Sequence, residues 1–278
     1  MMEIIVGKTA GFCFGVERAV EGAKKALKEN EEVCCLGELA HNNYVLEQLY
    51  KIGLIQIEDI NDAPENSKVI IRPHGEAPKT YETAKKRKLE LIDLTCPRVE
   101  KVHDIAEKYK SKGFAIIITG EEQHPEVIGT KGWAGDNSYI VQNAEQLRNI
   151  DTSGKTCLIS QTTFSVNEFE KITEYLNQTN KNIEIINTIC ETTKERQKEV
   201  KEIAKNVDLM IIIGGKKSDN TTKLVKIAET VCENVIRLED ANIDVEYVSK
   251  FKKVGIMAGA STPKDLIEKI IDMINNKG

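Results

Sequence analysis

The sequence predicts an α/β protein: three similar small domains with mainly parallel sheets, in a pseudo-threefold arrangement around a shared centre. Three observations carry this. Strands alternate with helices along the whole chain, the pattern of parallel sheets covered by helices. A unit of Cys, helix, strand, Gly and polar residue occurs three times: Cys13, Gly37, His41; Cys96, Gly120, His124; Cys190, Gly214, Ser218. In each copy 24 residues separate Cys from Gly, and 4 separate Gly from the polar residue. The segments entering the cysteines are also alike, at Met2–Ile5, Leu89–Ile92 and Ile183–Ile186.

The elements follow in order. Glu3–Val6 reads as a strand, and apolar residues from Val16 to Leu27 recur at helical spacing. Val33–Leu36 is a buried strand. A loop then carries His41 into a helix over 44–51, and Leu54–Ile57 is the next strand. Val69–Ile71 runs into the turn Arg72–Gly75, because Pro73 and Gly75 break it. A charged helix over 78–88 and a strand over 89–94 lead to Cys96. The second copy has a helix over 99–110, a β-branched strand over 114–119 and a loop over 120–126. Strands at 139–141 and 158–160, a helix over 166–177 and a strand at 183–186 lead to Cys190. The third copy has a helix over 194–205, a strand over 209–213, a helix ending near Val231, and strands at 235–236 and 254–257. A last helix starts at Pro263, a favoured first-turn residue. The predicted domains are 13–95, 96–189 and 190–278. Copy three lacks a strand leading into a following cysteine. The N-terminal segment 1–12 is expected to supply it by joining the last sheet.

Composition narrows the function classes. The 278-residue chain is 40% hydrophobic and 30% charged, with a net charge of −5. That excludes a basic nucleic-acid binder as the default and fits a soluble globular protein. The run Lys85–Lys88 reads as a solvated helix face. No apolar run approaches the roughly 20 residues of a membrane helix. The first residues lack a signal-peptide pattern, so the expected compartment is the cytoplasm. Seven cysteines, an odd number, argue against a disulfide framework.

Cys13, Cys96 and Cys190 each fall between a strand and a helix, where the helix N-terminus stabilises a thiolate. Under the inferred symmetry the three sulfurs meet near one axis and make a metal site. Two metals are open. A [4Fe–4S] cluster on three thiolates keeps one iron free of protein ligands, able to act as a Lewis acid and to pass electrons. Zinc is the rival, although the local C-x-x-C knuckles of structural zinc sites are missing. Cys34, Cys35, Cys157 and Cys232 fall within apparent strands or helices and read as core residues. The polar loop tips come in two sets, one after each first strand (His41 with Asn43, His124 with Glu126, Ser218 with Asn220) and one near each last strand (His74, Thr162 and Thr163, Ser261). Neutral donors and loop amides before helices suit an oxyanion such as phosphate or diphosphate. Glu126 is the candidate acid, the only carboxylate of the set besides Asp219. His103 reads as structural, and Trp133 as a packing or loop anchor.

These motifs resemble the LytB/IspH family of 4-hydroxy-3-methylbut-2-enyl diphosphate reductases. The matching stretches are Gly11–Val16, His41–Asn42, Pro73–Gly75, Asp93–Pro97, Gly120 with His124–Val127, Gln161–Thr163, Ile189–Thr193, Ser218–Asn220 and Gly259–Ser261. They span nearly the whole chain in order. The resemblance implies a three-domain α/β fold around a central [4Fe–4S] cluster, one per chain, on Cys13, Cys96 and Cys190. It implies an open iron for the substrate's allylic alcohol oxygen, which leaves as water to give isopentenyl and dimethylallyl diphosphates. It assigns the diphosphate to His41, His74, Ser218, Asn220 and Ser261. His124 is placed near the hydroxyl end, and Glu126 with Thr162 and Thr163 in proton delivery. Ferredoxin or flavodoxin is the implied electron donor, with no nucleic acid or membrane as partner. The alternative is a diphosphate-binding module with a structural three-cysteine zinc site. Many family members have Ser where this chain has Asp219. A carboxylate there would repel a diphosphate, so Asp219 is expected to point away, to use its backbone amide, or to be neutralised. Relatives often continue past the position of Gly278, some into RNA-binding repeats.

Overall fold

The computed structural model describes residues 2–30, 32–179 and 182–276. The outermost residues assigned to the third predicted domain (1, 277 and 278) lie outside them. Twelve strands and ten α-helices alternate among the described residues. They are β1 (Glu3–Val6), α1 (Phe14–Glu29), β2 (Val33–Leu36), α2 (Asn43–Tyr50), β3 (Leu54–Ile57), β4 (Lys68–Ile71), α3 (Pro78–Lys86) and β5 (Glu90–Asp93). Then come α4 (Pro97–Ser111), β6 (Ala115–Thr119), α5 (Pro125–Ala134), β7 (Ser138–Val141), β8 (Thr156–Ser160), α6 (Val166–Thr179) and β9 (Ile183–Ile185). Last are α7 (Glu191–Ala204), β10 (Leu209–Ile213), α8 (Asp219–Glu229), β11 (Val235–Leu238), α9 (Val245–Val248), β12 (Lys253–Ala258) and α10 (Lys264–Asn275).

The strands form three four-stranded sheets, ordered β1-β12-β10-β11, β5-β4-β2-β3 and β9-β8-β6-β7. Every pairing is parallel. The three orders are the same topology. In each sheet the strand entering a cysteine takes one edge, and the third strand is the first one after the helix of another cysteine: β10 after α7, β2 after α1 and β6 after α4. β1 therefore sits in its sheet where β5 and β9 sit in theirs, with Glu3 to Val6 in register with Lys253 to Ile256.

The chain forms two compact units. One comprises residues 2–20, 40–52 and 191–276 and holds the sheet of β1, β10, β11 and β12. Its central strands, β10 and β12, bury both faces, which is why they read as apolar runs. Leu209, Ile211 and Ile213 share a core with Leu266, Ile267, Ile270 and Ile274 of α10. The alternate residues Met210 and Ile212 pack with Val200 and Ala204 of α7 and Leu224 and Ala228 of α8. The other unit comprises residues 21–30, 32–39, 53–179 and 182–190 and holds the remaining two sheets. Ile117 and Leu158 face Phe169, Ile172 and Leu176 of α6. Ile116, Ile118, Cys157 and Ile159 face Val102 and Ala106 of α4 and Val127 and Ala134 of α5.

α5 corrects the sequence reading, which places a loop over 120–126 and no helix after it. Gly129 and Gly132 hide the helix, since glycine lowers helix propensity by about 1 kcal/mol. Both glycines lie against the turn that follows His74. A Cβ on Gly129 would stand 3.5 Å from the backbone of Gly75 and Glu76, and one on Gly132 only 2.5 Å from the Cβ of Ala77. At Gly132 the helix gives up propensity for this approach, whereas at Gly129 the distances are ordinary contacts. Pro263 also moves by one place: it caps α10 rather than opening its first turn.

Candidate active site

In each sheet the loops that follow the strands carry the polar residues, as expected of parallel α/β sheets. One hydrogen bond recurs in all three. The Cys13 amide donates to the Ala260 carbonyl (3.1 Å), that of Cys96 to Pro73 (3.0 Å) and that of Cys190 to Thr162 (2.9 Å). Each acceptor lies two residues beyond the end of its strand, β12, β4 or β8. The three cysteines therefore occupy equivalent positions, each just ahead of a helix. All three are partly accessible, whereas Cys34, Cys35, Cys157 and Cys232 are buried. Burial pushes the thiols of Cys35 and Cys157 up to about 12, so they remain protonated core groups. Accessible thiols at helix starts fit a thiolate-bound metal group, and the buried four do not.

In the unit that contains α4 and α5, the turn after β4 and the start of α5 bring His74 and His124 edge to face, with ring centroids 5.4 Å apart. His124 caps α5: its Nδ1 accepts from the Glu126 amide at 3.1 Å. That bond fixes the neutral tautomer, so Nε2 carries the proton. Glu126 lies in the first turn of α5, where the helix dipole favours a carboxylate. Its residue is only 2% exposed. The Thr162 amide donates to Oε1 at 2.5 Å and the Thr162 hydroxyl to Oε2 at 2.8 Å. Thr163 accepts from the Gln161 side chain at 2.8 Å. Cys190, whose amide binds the Thr162 carbonyl, is thus tied to the residue that holds Glu126.

The other unit gathers Cys13, His41, Ser218, Asp219, Asn220 and Ser261. Ser218 caps α8, and its Oγ accepts from the amide (3.2 Å) and hydroxyl (2.9 Å) of Thr221. This leaves its own proton to donate. The Asn220 side chain is buried, and its amide nitrogen has no hydrogen-bond partner. A buried donor without an acceptor is costly unless a ligand completes it, and an oxyanion would. The Ser261 hydroxyl donates to the His41 carbonyl at 3.3 Å. That carbonyl also abuts the loop after β10: a Cβ on Gly215 would meet its oxygen at 2.3 Å. Only glycine allows the two backbones to lie so close. The Asp219 carboxylate is paired with Lys223, one turn along α8; neutralisation is one of the three arrangements the sequence reading leaves open.

The model of the LytB protein family matches residues 4–275. The chain belongs to the LytB family. Proteins of this family named 4-hydroxy-3-methylbut-2-enyl diphosphate reductase match end to end. That of Thermoanaerobacter sp. (strain X514) is 41% identical, over 98% of this chain and 96% of its own. That of Clostridioides difficile (strain 630) is 40% identical, over 99% and 100%. The solved structure of the E-1-hydroxy-2-methyl-but-2-enyl-4-diphosphate reductase from Plasmodium falciparum superposes with a TM-score of 0.93 at 31% identity, covering 99% of this chain and 88% of that one. A second, described as the terminal enzyme of the non-mevalonate pathway, gives a TM-score of 0.73 at 37% identity, covering 99% and 100%.

Sequence reasoning misses Arg237, which shapes the site of this LytB-family chain. Arg237 of β11 spans the loop after β10, donating to the carbonyls of Gly214 (3.3 Å) and Gly215 and to Thr222 Oγ1 (3.1 Å). Its signal is an arginine in an otherwise apolar strand, Val235–Leu238.

Proposed function

We propose that this chain reductively dehydroxylates (E)-4-hydroxy-3-methylbut-2-enyl diphosphate to isopentenyl and dimethylallyl diphosphates, the last step of the methylerythritol phosphate route to isoprenoids. What carries the reading is a family match along residues 4–275 in a chain that keeps an accessible thiol at each of three equivalent junctions. The reaction consumes two electrons and two protons. The C–O bond of the allylic alcohol breaks, its oxygen leaves as water, and a C–H bond forms. A single [4Fe–4S] cluster per chain, held by Cys13, Cys96 and Cys190, would supply the electrons and a Lewis-acidic iron. Ferredoxin or flavodoxin would reduce it, in the cytoplasm.

The remaining roles belong to the chain's own side chains. Ser218, Asn220 and Ser261, with His41 and His74, hold the diphosphate. Asn220 contributes the donor that lacks an acceptor. Asp219, paired to Lys223, joins them only through the backbone amide at the start of α8. His124 offers its Nε2 proton toward the hydroxyl end. Glu126 and Thr162 make a two-member relay. While Glu126 is ionised, the Thr162 hydroxyl donates to it. Once Glu126 is protonated, that bond reverses: Glu126 donates to Thr162 Oγ1, and the hydroxyl proton of Thr162 is free to move on. Thr163, held by Gln161, lies next in the chain and extends the donor set.

The test is anaerobic purification followed by iron and sulfide analysis, absorption and electron paramagnetic resonance spectra, and turnover of the hydroxylated diphosphate with a low-potential reductant. Iron and sulfide in cluster proportion, with turnover, are expected. Stoichiometric zinc without iron or sulfide would replace this reading with that of a diphosphate-binding module. A Cys96→Ser variant that kept both cluster and activity would sink it.

A further inference from the structure

Two charged residues on one face of α7 converge on the loop that ends in Cys13. Arg196 is only 3% exposed although it is an arginine. Its guanidinium spans two carbonyls, donating to Gly11 at 2.6 Å and to Ala258 at 3.0 Å. One turn on, the Glu199 carboxylate accepts from the amides of Lys8 (2.7 Å) and Thr9 (2.9 Å) and from the Thr9 hydroxyl (2.5 Å). The loop from β1 to α1 is thus gripped near both ends by one helix. Its amides go to an anion and its Gly11 carbonyl to a cation.

The placement of Arg196 is specific. Gly11 lies two residues before Cys13, and Ala258 two residues before Ala260, the carbonyl that accepts from the Cys13 amide. The fork therefore closes over the junction from which Cys13 projects and from which Ser261 follows. Gly11 has a φ of +111°, a conformation closed to other residues, so the loop depends on outside contacts to hold it. A planar fork can hold two carbonyls at once, and an ammonium cannot. Burying a guanidinium is costly unless its hydrogen bonds are made; here both terminal nitrogens reach backbone carbonyls, while the buried Nε has no hydrogen-bond partner among the described residues.

We infer that Arg196 and Glu199 form a clamp that presets the position of Cys13 and Ser261 before any metal group is bound. Arg196 is a positioning residue: it acts through the Gly11 and Ala258 carbonyls. The inference rests on the reading of Cys13 as a cluster ligand, but the clamp itself is a property of the metal-free chain.

The test uses the full chain carrying Arg196→Gln, Arg196→Lys or Glu199→Gln. The first readout is the alkylation rate of Cys13 in metal-free protein, followed by peptide mass spectrometry with Cys96 as internal control. Loosening the clamp is expected to raise the Cys13 rate about tenfold while Cys96 is unchanged. The second is iron retention during anaerobic gel filtration, expected to fall roughly 10-fold or more, as when a group that orients a ligand is lost. Arg196→Lys should behave like Arg196→Gln, because charge without the fork does not bridge two carbonyls. Added guanidinium ion at millimolar concentration should restore iron retention in Arg196→Gln and not in Glu199→Gln. Wild-type alkylation and iron retention in a folded Arg196→Gln protein overturn the clamp, as does full rescue by lysine. Should Arg196→Gln not fold, the more exposed Glu199→Gln decides: an unchanged Cys13 rate overturns it. A wild-type protein that binds no iron overturns the cluster reading instead, and leaves the alkylation result standing.

Discussion

At the scale of single residues, Glu126 and His103 are both buried ionisable groups with opposite tasks. Glu126 keeps two donors from Thr162 and sits at a helix start. Glu126→Gln retains the shape and can still accept, but cannot supply a proton. Turnover is expected to fall by roughly 10²-fold or more, with the iron content and the substrate affinity unchanged; wild-type turnover would remove Glu126 from the mechanism. His103 supports the site from below. It stacks on Trp133 with centroids 5.6 Å apart. It also lies under the turn of His74, where a Cβ on Gly75 would meet its Cε1 at 2.6 Å. Burial lowers its imidazole to about 4, against weaker upward pulls from Asp104 and Asp93. Between its unfolded value, near 6.5, and about 4, the unfolded chain binds more protons. His103 therefore favours the fold fully above pH 6.5, and that contribution drains away as the pH falls toward 4, by at most roughly 3 kcal/mol. Urea unfolding followed by fluorescence of Trp133, the chain's single tryptophan, should lose less stability between pH 7 and pH 5 in His103→Gln than in the wild type. Equal losses would show that His103 does not titrate in this window.

At the scale of elements, α5 shows how a tertiary contact overrides local propensity. Its indole anchor, Trp133, donates to the Glu76 carbonyl at 2.9 Å, so the sequence reading of Trp133 as an anchor holds although the segment is helical. The two glycines of α5 should respond in opposite ways to alanine. Gly129→Ala meets only ordinary contacts at 3.5 Å and should gain up to about 1 kcal/mol from helix propensity. Gly132→Ala drives a methyl to 2.5 Å from Ala77 and should cost about 1–3 kcal/mol. Melting temperatures of the two variants would settle the sign, and a stabilised Gly132→Ala would show that the helices can separate cheaply.

At the scale of the molecule, three sheets of one topology are built from one repeat, and the first strand of the chain completes the last sheet. Without β1, β12 becomes an edge. Its run Lys253–Ala258 is apolar and buried after the first residue, so an exposed flank would invite pairing with another chain. Deleting residues 2–6 should lower the melting temperature and produce concentration-dependent association in light scattering. A monomer of unchanged stability would mean that β1 contributes little to its sheet. Among the described residues no helix is long and apolar enough to cross a membrane.

Much of this was legible in the sequence because the repeat is a matter of register. A strand and a helix have fixed rises, so equal spacing from Cys13, Cys96 and Cys190 means equivalent places in three sheets. The apolar runs of β2, β6 and β10 announce strands buried on both faces. The polar loop tips follow from counting, His124 and Ser218 each five residues past a strand end. Other features have no local signature. α5 was hidden by its two glycines, of which Gly132 answers to Ala77, more than 50 positions away along the chain. Arg196 and Arg237 read as charges on a helix and a strand, and only the fold supplies the carbonyls they bind. Arg196 does leave a trace: with Thr193, Gln197 and Val200 it falls on the buried stripe of α7, where an arginine is out of place. The sequence by itself determined which residues recur at equivalent positions, because periodicity is written in local geometry. The tertiary structure alone decided which donor meets which acceptor, because a hydrogen bond between distant segments depends on packing that no local pattern encodes.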